Sequence, residues 1–201
     1  MAGCEYFDAL SYEAELGFQR WEEELEQVIG IIRHCIDTAD TFHTIKFVKS
    51  SKLLAIFSLF TELEDKLWFT QTLQLEKQWR LLREKTDNLK EQAEKLQATV
   101  RKNFEAFQQD KTQDKYSVLL TGTCNQVTPL EYLTYLDYIS RLVRLQTSEM
   151  EQICQNSQFL ADVDTFVSKD RRDLEKFAEQ SFFQRSEVKD WFLKLGRLRE
   201  T

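Results

Sequence analysis

Apolar residues return along this chain every three or four positions, in runs long enough to predict helices. Phe18, Trp21, Leu25, Val28, Ile32, Cys35, Ala39 and Phe42 form one such stripe. Leu75, Trp79, Leu82, Leu89, Leu96, Val100 and Phe107 form a second with heptad spacing, and Thr86 and Asn103 occupy two of its core slots. Glu62–Lys66, Glu76–Arg80 and Glu91–Lys95 add pairs four residues apart in the favourable order, each worth a few tenths of a kcal/mol. Between the stripes, Leu53–Phe69 is apolar over several faces. A helix with so wide an apolar arc needs neighbours on more than one side.

The breaks are as informative as the runs. Residues 40–52 are rich in Thr, Ser and β-branched types, which predicts a bend or short connection. Asp110–Asp114 is polar and Gly122 supplies a permissive backbone, so residues 113–128 read as a loop. A helix start follows: Thr128 as N-cap, Pro129 in the first turn and Glu131 three residues after the cap make a capping box. Val127 and Tyr132 are placed to form a hydrophobic staple around it. A third pattern runs from 129 to 199 through Leu136, Ile139, Val143, Met150 and Ile153, then Leu174, Phe177, Val188, Trp191, Leu195 and Leu198. A register shift predicts a kink or short break near 155–160 or 180–186.

These patterns predict one all-α unit over 1–201: an elongated bundle of long, partly coiled-coil helices in about three main regions, not a compact globule. The regions are an acidic first helix (1–48), a long coiled-coil helix (53–112) and C-terminal helices (129–199). At 1.5 Å per residue the second would span about 90 Å, hence the expectation of elongation.

Composition agrees with helices. Glycine occurs five times and proline once, and neither falls between Gly30 and Gly122. The net charge of −7 is concentrated at the start: residues 1–32 carry eight acids and one base, so the remaining 169 residues sum to zero. An acidic head repels phosphate, and the bases of 169–199 are too evenly mixed with acids for a phosphate groove; no nucleic acid partner is expected. The cysteines Cys4, Cys35, Cys124 and Cys154 form no C-x-x-C pair, and no apolar leader precedes them. Both features favour a reducing, cytoplasmic setting. Charged residues interrupt the most apolar stretch, which excludes a membrane span there.

The chain offers little material for chemistry. His34 adjoins Cys35, but neighbours on a helix point about 100° apart, too far for a base to serve its nucleophile. His34, Cys35 and His43 match no zinc spacing. Asp162-Val163-Asp164 lacks the glycine and glutamate of a calcium loop. Glu22–Glu26 and Glu175–Glu179 lie one helical turn apart and read as solvated surface acids. No phosphate-cradling glycine motif occurs. The expectation is a protein that is not an enzyme, with no catalytic residue, metal or cofactor.

The aromatic residues bear on architecture. Two-stranded coils favour Leu, Ile and Val in the seam, whereas this chain places Trp21, Trp79, Phe107 and Trp191 there. Wider packing follows, expected to be completed by protein partners in a homo- or hetero-oligomer. The predicted interface is the seam Leu75, Trp79, Leu82, Leu89, Leu96, Val100 and Phe107. A second docking face is expected at Val188, Trp191, Phe192, Leu195 and Leu198. The expected role is a scaffold or adaptor subunit of a cytoskeletal, kinetochore or centrosomal, or trafficking assembly.

A short stretch suggests an alternative. Phe183, Val188, Asp190 and Trp191 resemble the F-x-x-x-x-V-x-D-F run in the last helix of sorting-nexin-type BAR domains. The resemblance covers nine residues and implies a membrane-curving dimer in vesicle trafficking, with Arg185, Lys189, Lys194, Arg197 and Arg199 meeting a membrane surface. The acidic first helix departs from that pattern, because a membrane face wants clustered bases.

Overall fold

The computed structural model describes residues 2–50, 62–109, 128–157 and 170–199. Four helices occur among them: α1 (Ala2–Ser50), α2 (Leu63–Gln109), α3 (Pro129–Asn156) and α4 (Arg171–Arg199). They contribute to two compact units. The first comprises Met1–Leu25, Asn88–Ser148 and Ser181–Thr201; the second comprises Glu26–Asp87 and Glu149–Gln180. Each unit takes a segment of all four helices and is a four-helix bundle.

This overturns the expectation of an elongated, partly coiled-coil bundle with about three helical regions. The stripes do not wait for a second chain; they close on one another. In the first unit, Phe18, Trp21 and Leu25 of α1, Leu89, Leu96 and Val100 of α2, Leu136, Ile139 and Val143 of α3, and Val188 of α4 are all buried. In the second, Val28, Ile32, Cys35, Ala39 and Phe42 are buried with Leu75, Trp79, Leu82, Met150, Leu174 and Phe177. The physical reason is volume. Trp21, Trp79, Phe18, Phe42 and Phe177 are among the largest fully buried side chains, and each needs more than one opposing helix to surround it.

Several local expectations change as well. The bend foreseen at 40–52 is absent as far as Ser50, because α1 continues through it. Its threonines suit a helix here: the hydroxyls of Thr41 and Thr44 donate to the carbonyls of Asp37 and Asp40 at 3.0 and 2.9 Å, as Thr38 just before them does to His34 at 2.8 Å. The long second helix begins at Leu63, and 53–61 lie outside the described residues, as do 113–127. Of the two breaks considered in the C-terminal half, α3 does end at Asn156, whereas 180–186 is continuous helix.

The capping box forms as the sequence requires. The Thr128 backbone N–H and hydroxyl donate to Glu131 Oε2 at 2.9 Å each, and the Glu131 N–H donates to Thr128 Oγ1 at 3.2 Å. Those bonds hold the Glu131 carboxyl below its usual range. Val127 lies outside the described residues, so the staple cannot be followed beyond Tyr132, which is buried. At the other end of α3, Arg83 donates to the Cys154 carbonyl at 3.3 Å, and Ser157 donates to Asp170 Oδ2 at 2.6 Å. Both contacts satisfy or brace the last turn within the second unit.

Two glycines of α1 differ in a testable way. A Cβ at Gly30 would meet nothing within 4 Å, whereas one at Gly17 would lie 3.0 Å from Leu96 Cδ1. Gly30→Ala should therefore raise stability by about 0.5–1 kcal/mol, the usual helix-propensity gain. Gly17→Ala should gain less or lose, because α2 must yield. Urea denaturation of both variants beside the parent checks the order.

Candidate interaction surface

The positions singled out in the sequence divide by what covers them. Leu75, Trp79, Leu82, Leu89, Leu96 and Val100 are buried inside this chain's own units, as are the polar slots Thr86 and Asn103. The side chain of Phe107 lies outside the described residues. On α4, Val188 is fully buried in the first unit, and Trp191 is half-buried; the side chains of Phe192, Leu195 and Leu198 lie outside the described residues. The seam is thus occupied by intramolecular packing.

Trp191 packs into an aromatic array on α3. Its ring stacks on Tyr135 with centroids 3.8 Å apart and planes 10° apart, and Tyr132 lies 6.1 Å away. Glu187, one turn earlier on α4, closes the array. Tyr138 donates its hydroxyl to Glu187 Oε2 at 3.2 Å, and Tyr135 donates to the Glu187 carbonyl at 3.4 Å. Burial, followed by the neighbouring Tyr138, Glu187 and Asp190, pushes the Tyr135 phenol up to about 12.

A second anchor ties α4 to α1 in the same unit. Glu22, whose side chain is only 12% exposed, forms an ion pair through Oε1 with Lys189 Nζ at 2.7 Å and faces Arg185 at 3.8 Å. Glu22 is therefore not the solvated acid its spacing suggested; its enclosed carboxylate is shared between an enclosed Arg185 and a Lys189 that is still half in water. Those are two of the bases that the BAR resemblance assigns to a membrane surface, and Arg185 is itself 11% exposed. The other three, Lys194, Arg197 and Arg199, have side chains outside the described residues.

The residues considered for chemistry are kept apart. His34 and His43 are exposed, and Cys35 is buried. Burial, with the nearby Cys154, pushes the Cys35 thiol up to about 12. Cys154 is also raised by burial, and its sulfur lies 3.6 Å from the Thr86 hydroxyl. Glu175 pairs with Arg171 at 2.9 Å. Asp162 and Asp164 lie outside the described residues. Among the described residues no group of three or more His, Cys, Asp or Glu side chains could hold a metal ion, and no helix is long and apolar enough to cross a membrane. A shallow groove lined by Asp40, His43, Thr44, Phe47 and Arg171 has its guanidinium spent on Asp40 at 2.6 Å and on Glu175.

A few large apolar side chains remain outward among the charged ones. In the second unit, Phe69 is 69% and Leu73 is 56% exposed. They stand four residues apart on α2, so they share one face. Phe69 belongs to the broad apolar arc of Leu53–Phe69, while Leu73 drew no attention as a sequence position because it falls off the heptad seam. That off-seam placement was the available signal. No protein-family model matches the chain, and no curated protein matches it.

Two expectations follow. Native protein treated with a thiol reagent should be alkylated at Cys35 and Cys154 only as fast as it opens, because the thiolate is the nucleophile and both thiols are held neutral. Peptide mapping by mass spectrometry reads this. The raised Tyr135 pKa means that the folded state holds the phenolic proton more tightly than the unfolded chain. Its contribution is complete below about pH 10 and is lost between 10 and about 12. Absorbance titration of phenolate should show a late-ionising tyrosine that Tyr135→Phe removes.

Proposed function

We propose that this chain is a non-enzymatic adaptor subunit of a multi-protein assembly, of a cytoskeletal, kinetochore or centrosomal, or trafficking kind. Helical bundles of this sort hold partners by their outer faces when the inner faces are used up. The observation that carries the reading is the Phe69–Leu73 pair on α2, a phenylalanine and a leucine both more than half exposed on one helical face. Burial of such side chains in an interface gains about 1.5–3 kcal/mol each relative to leaving them in water. Neighbouring Lys66 and Lys77 give that face a polar border, the usual arrangement of an apolar interface centre with a charged rim. The non-enzymatic part of the reading rests on the separation of the exposed His34 and His43 from the buried Cys35 and Cys154, whose thiols burial keeps protonated.

The test compares the full-length chain with its Phe69→Glu/Leu73→Glu variant. Both positions are exposed, so thermal unfolding should match within about 0.5 kcal/mol. Affinity purification from the native cell should recover a stoichiometric protein with the parent chain and lose it with the variant. Recovery of no stoichiometric protein by the parent, or equal recovery by both, would remove the proposal.

A further inference from the structure

The body of α3 in the first unit has two opposite faces. Leu133, Leu136, Ile139 and Val143 turn inward and are buried. At 100° per residue, Leu130, Thr134, Tyr138, Arg141 and Leu145 fall together on the other side. All five are exposed, and the three apolar members are 48%, 42% and 66% exposed for Leu130, Tyr138 and Leu145. Their spacings of 4, 4, 3 and 4 are those of a helix-pairing seam, not of leucines scattered over a surface.

We propose that this outward stripe pairs antiparallel with the same stripe of a second copy of the chain, making a two-fold dimer. The argument is self-complementarity, which a two-fold interface demands: if residue i meets residue j, then j meets i. The stripe is nearly palindromic about the point between Asp137 and Tyr138. Turned end for end, Leu130 meets Leu145 of the second copy, and Leu145 meets its Leu130. Thr134 meets Arg141 of the second copy, and the two Tyr138 rings come together at the centre. Asp137 then lies three residues from level with Arg141 of the second copy, about 4.5 Å along the axis. Within one chain these two already pair at 2.7 Å, so the dimer joins two such pairs into a ring of alternating charge. A parallel arrangement would instead set Arg141 against Arg141, like charge on like. Charge therefore selects the antiparallel register, and the leucines at each end hold it.

The size of the stripe sets the strength. Sixteen residues of helix span about 24 Å, and one helix pair of that length falls below the roughly 1,200 Å² of a standard stable interface. The dimer is therefore a weak one, in the size class of transient contacts. It is independent of the adaptor reading, since it uses α3 in the first unit, while Phe69 and Leu73 belong to the second.

Sedimentation equilibrium of the full chain from low micromolar to near millimolar concentration tests this. The parent should move from monomer to dimer mass. L130E/L145E and L130K/L145K, changed only at exposed positions, should each melt like the parent and stay monomeric, because like charges then face one another at both ends. Mixed together, they should recover dimer, since each Glu meets a Lys of the other chain. F69E/L73E should dimerise as the parent does. A parent that stays monomeric throughout overturns the proposal. So does undiminished dimer in L130E/L145E, or a mixture that fails to associate when both components are folded. A monomer that uses this face for a foreign helix would also overturn it.

Discussion

The size of the aromatic side chains at seam positions is the constraint on which the rest depends. A tryptophan at an inward slot exposes a flank to water unless helices close on it from several directions. Trp21 and Trp79 are almost completely buried, and each sits within a bundle of four helix segments. In the second unit the same demand brings Phe42 edge-on to Trp68, with centroids 4.8 Å apart. Trp21 adds a polar requirement, because its indole N–H must be satisfied once buried. Thr147 supplies the acceptor at 3.2 Å while donating its own proton to the Val143 carbonyl. One bulky residue thus specifies both a packing volume and the identity of a residue 126 positions away.

Polar contacts then orient what the apolar stripes bring together. Glu22 gathers Lys189 and Arg185, and Glu187 reaches the hydroxyl of Tyr138. A stripe of valine and phenylalanine alone would allow α4 to slide by a turn; these contacts penalise the slip, because a displaced α4 would leave a nearly buried carboxylate uncompensated. The exposed pairs along the outer surfaces, such as Glu91–Lys95 at 2.7 Å, contribute much less, since water screens them. Position, more than charge count, decides which ion pairs matter here.

The same packing decides which apolar side chains stay at the surface. Residues that would serve as a zipper seam are spent within the chain, so the adaptor reading must rest on side chains left outside the two cores. Phe69 and Leu73 on α2, and Leu130, Tyr138 and Leu145 on α3, are exposed and spaced at helical intervals. Small outer faces of this kind favour selective, reversible contacts over obligate ones, because the area available to each is limited.

Periodicity made the helices legible. The slots Phe18 to Phe42 and Leu75 to Val100 could be listed as buried before any fold was known, and the Thr128–Glu131 cap could be placed to the residue, since both follow from contacts within one or two turns. The threonines of 40–52 misled because propensity is a weak prior, and a hydroxyl that bonds four residues back, as at Thr41 and Thr44, removes their objection to helix. What the sequence by itself determined, then, is the all-helical class and the inward face of each helix. Only the tertiary structure decided that those faces meet within one chain, that Glu22 is enclosed, and that Leu73 and Leu145 are left in water. A one-dimensional pattern states that a face must be covered; which helix covers it depends on how the chain returns on itself, and no local interaction encodes that return.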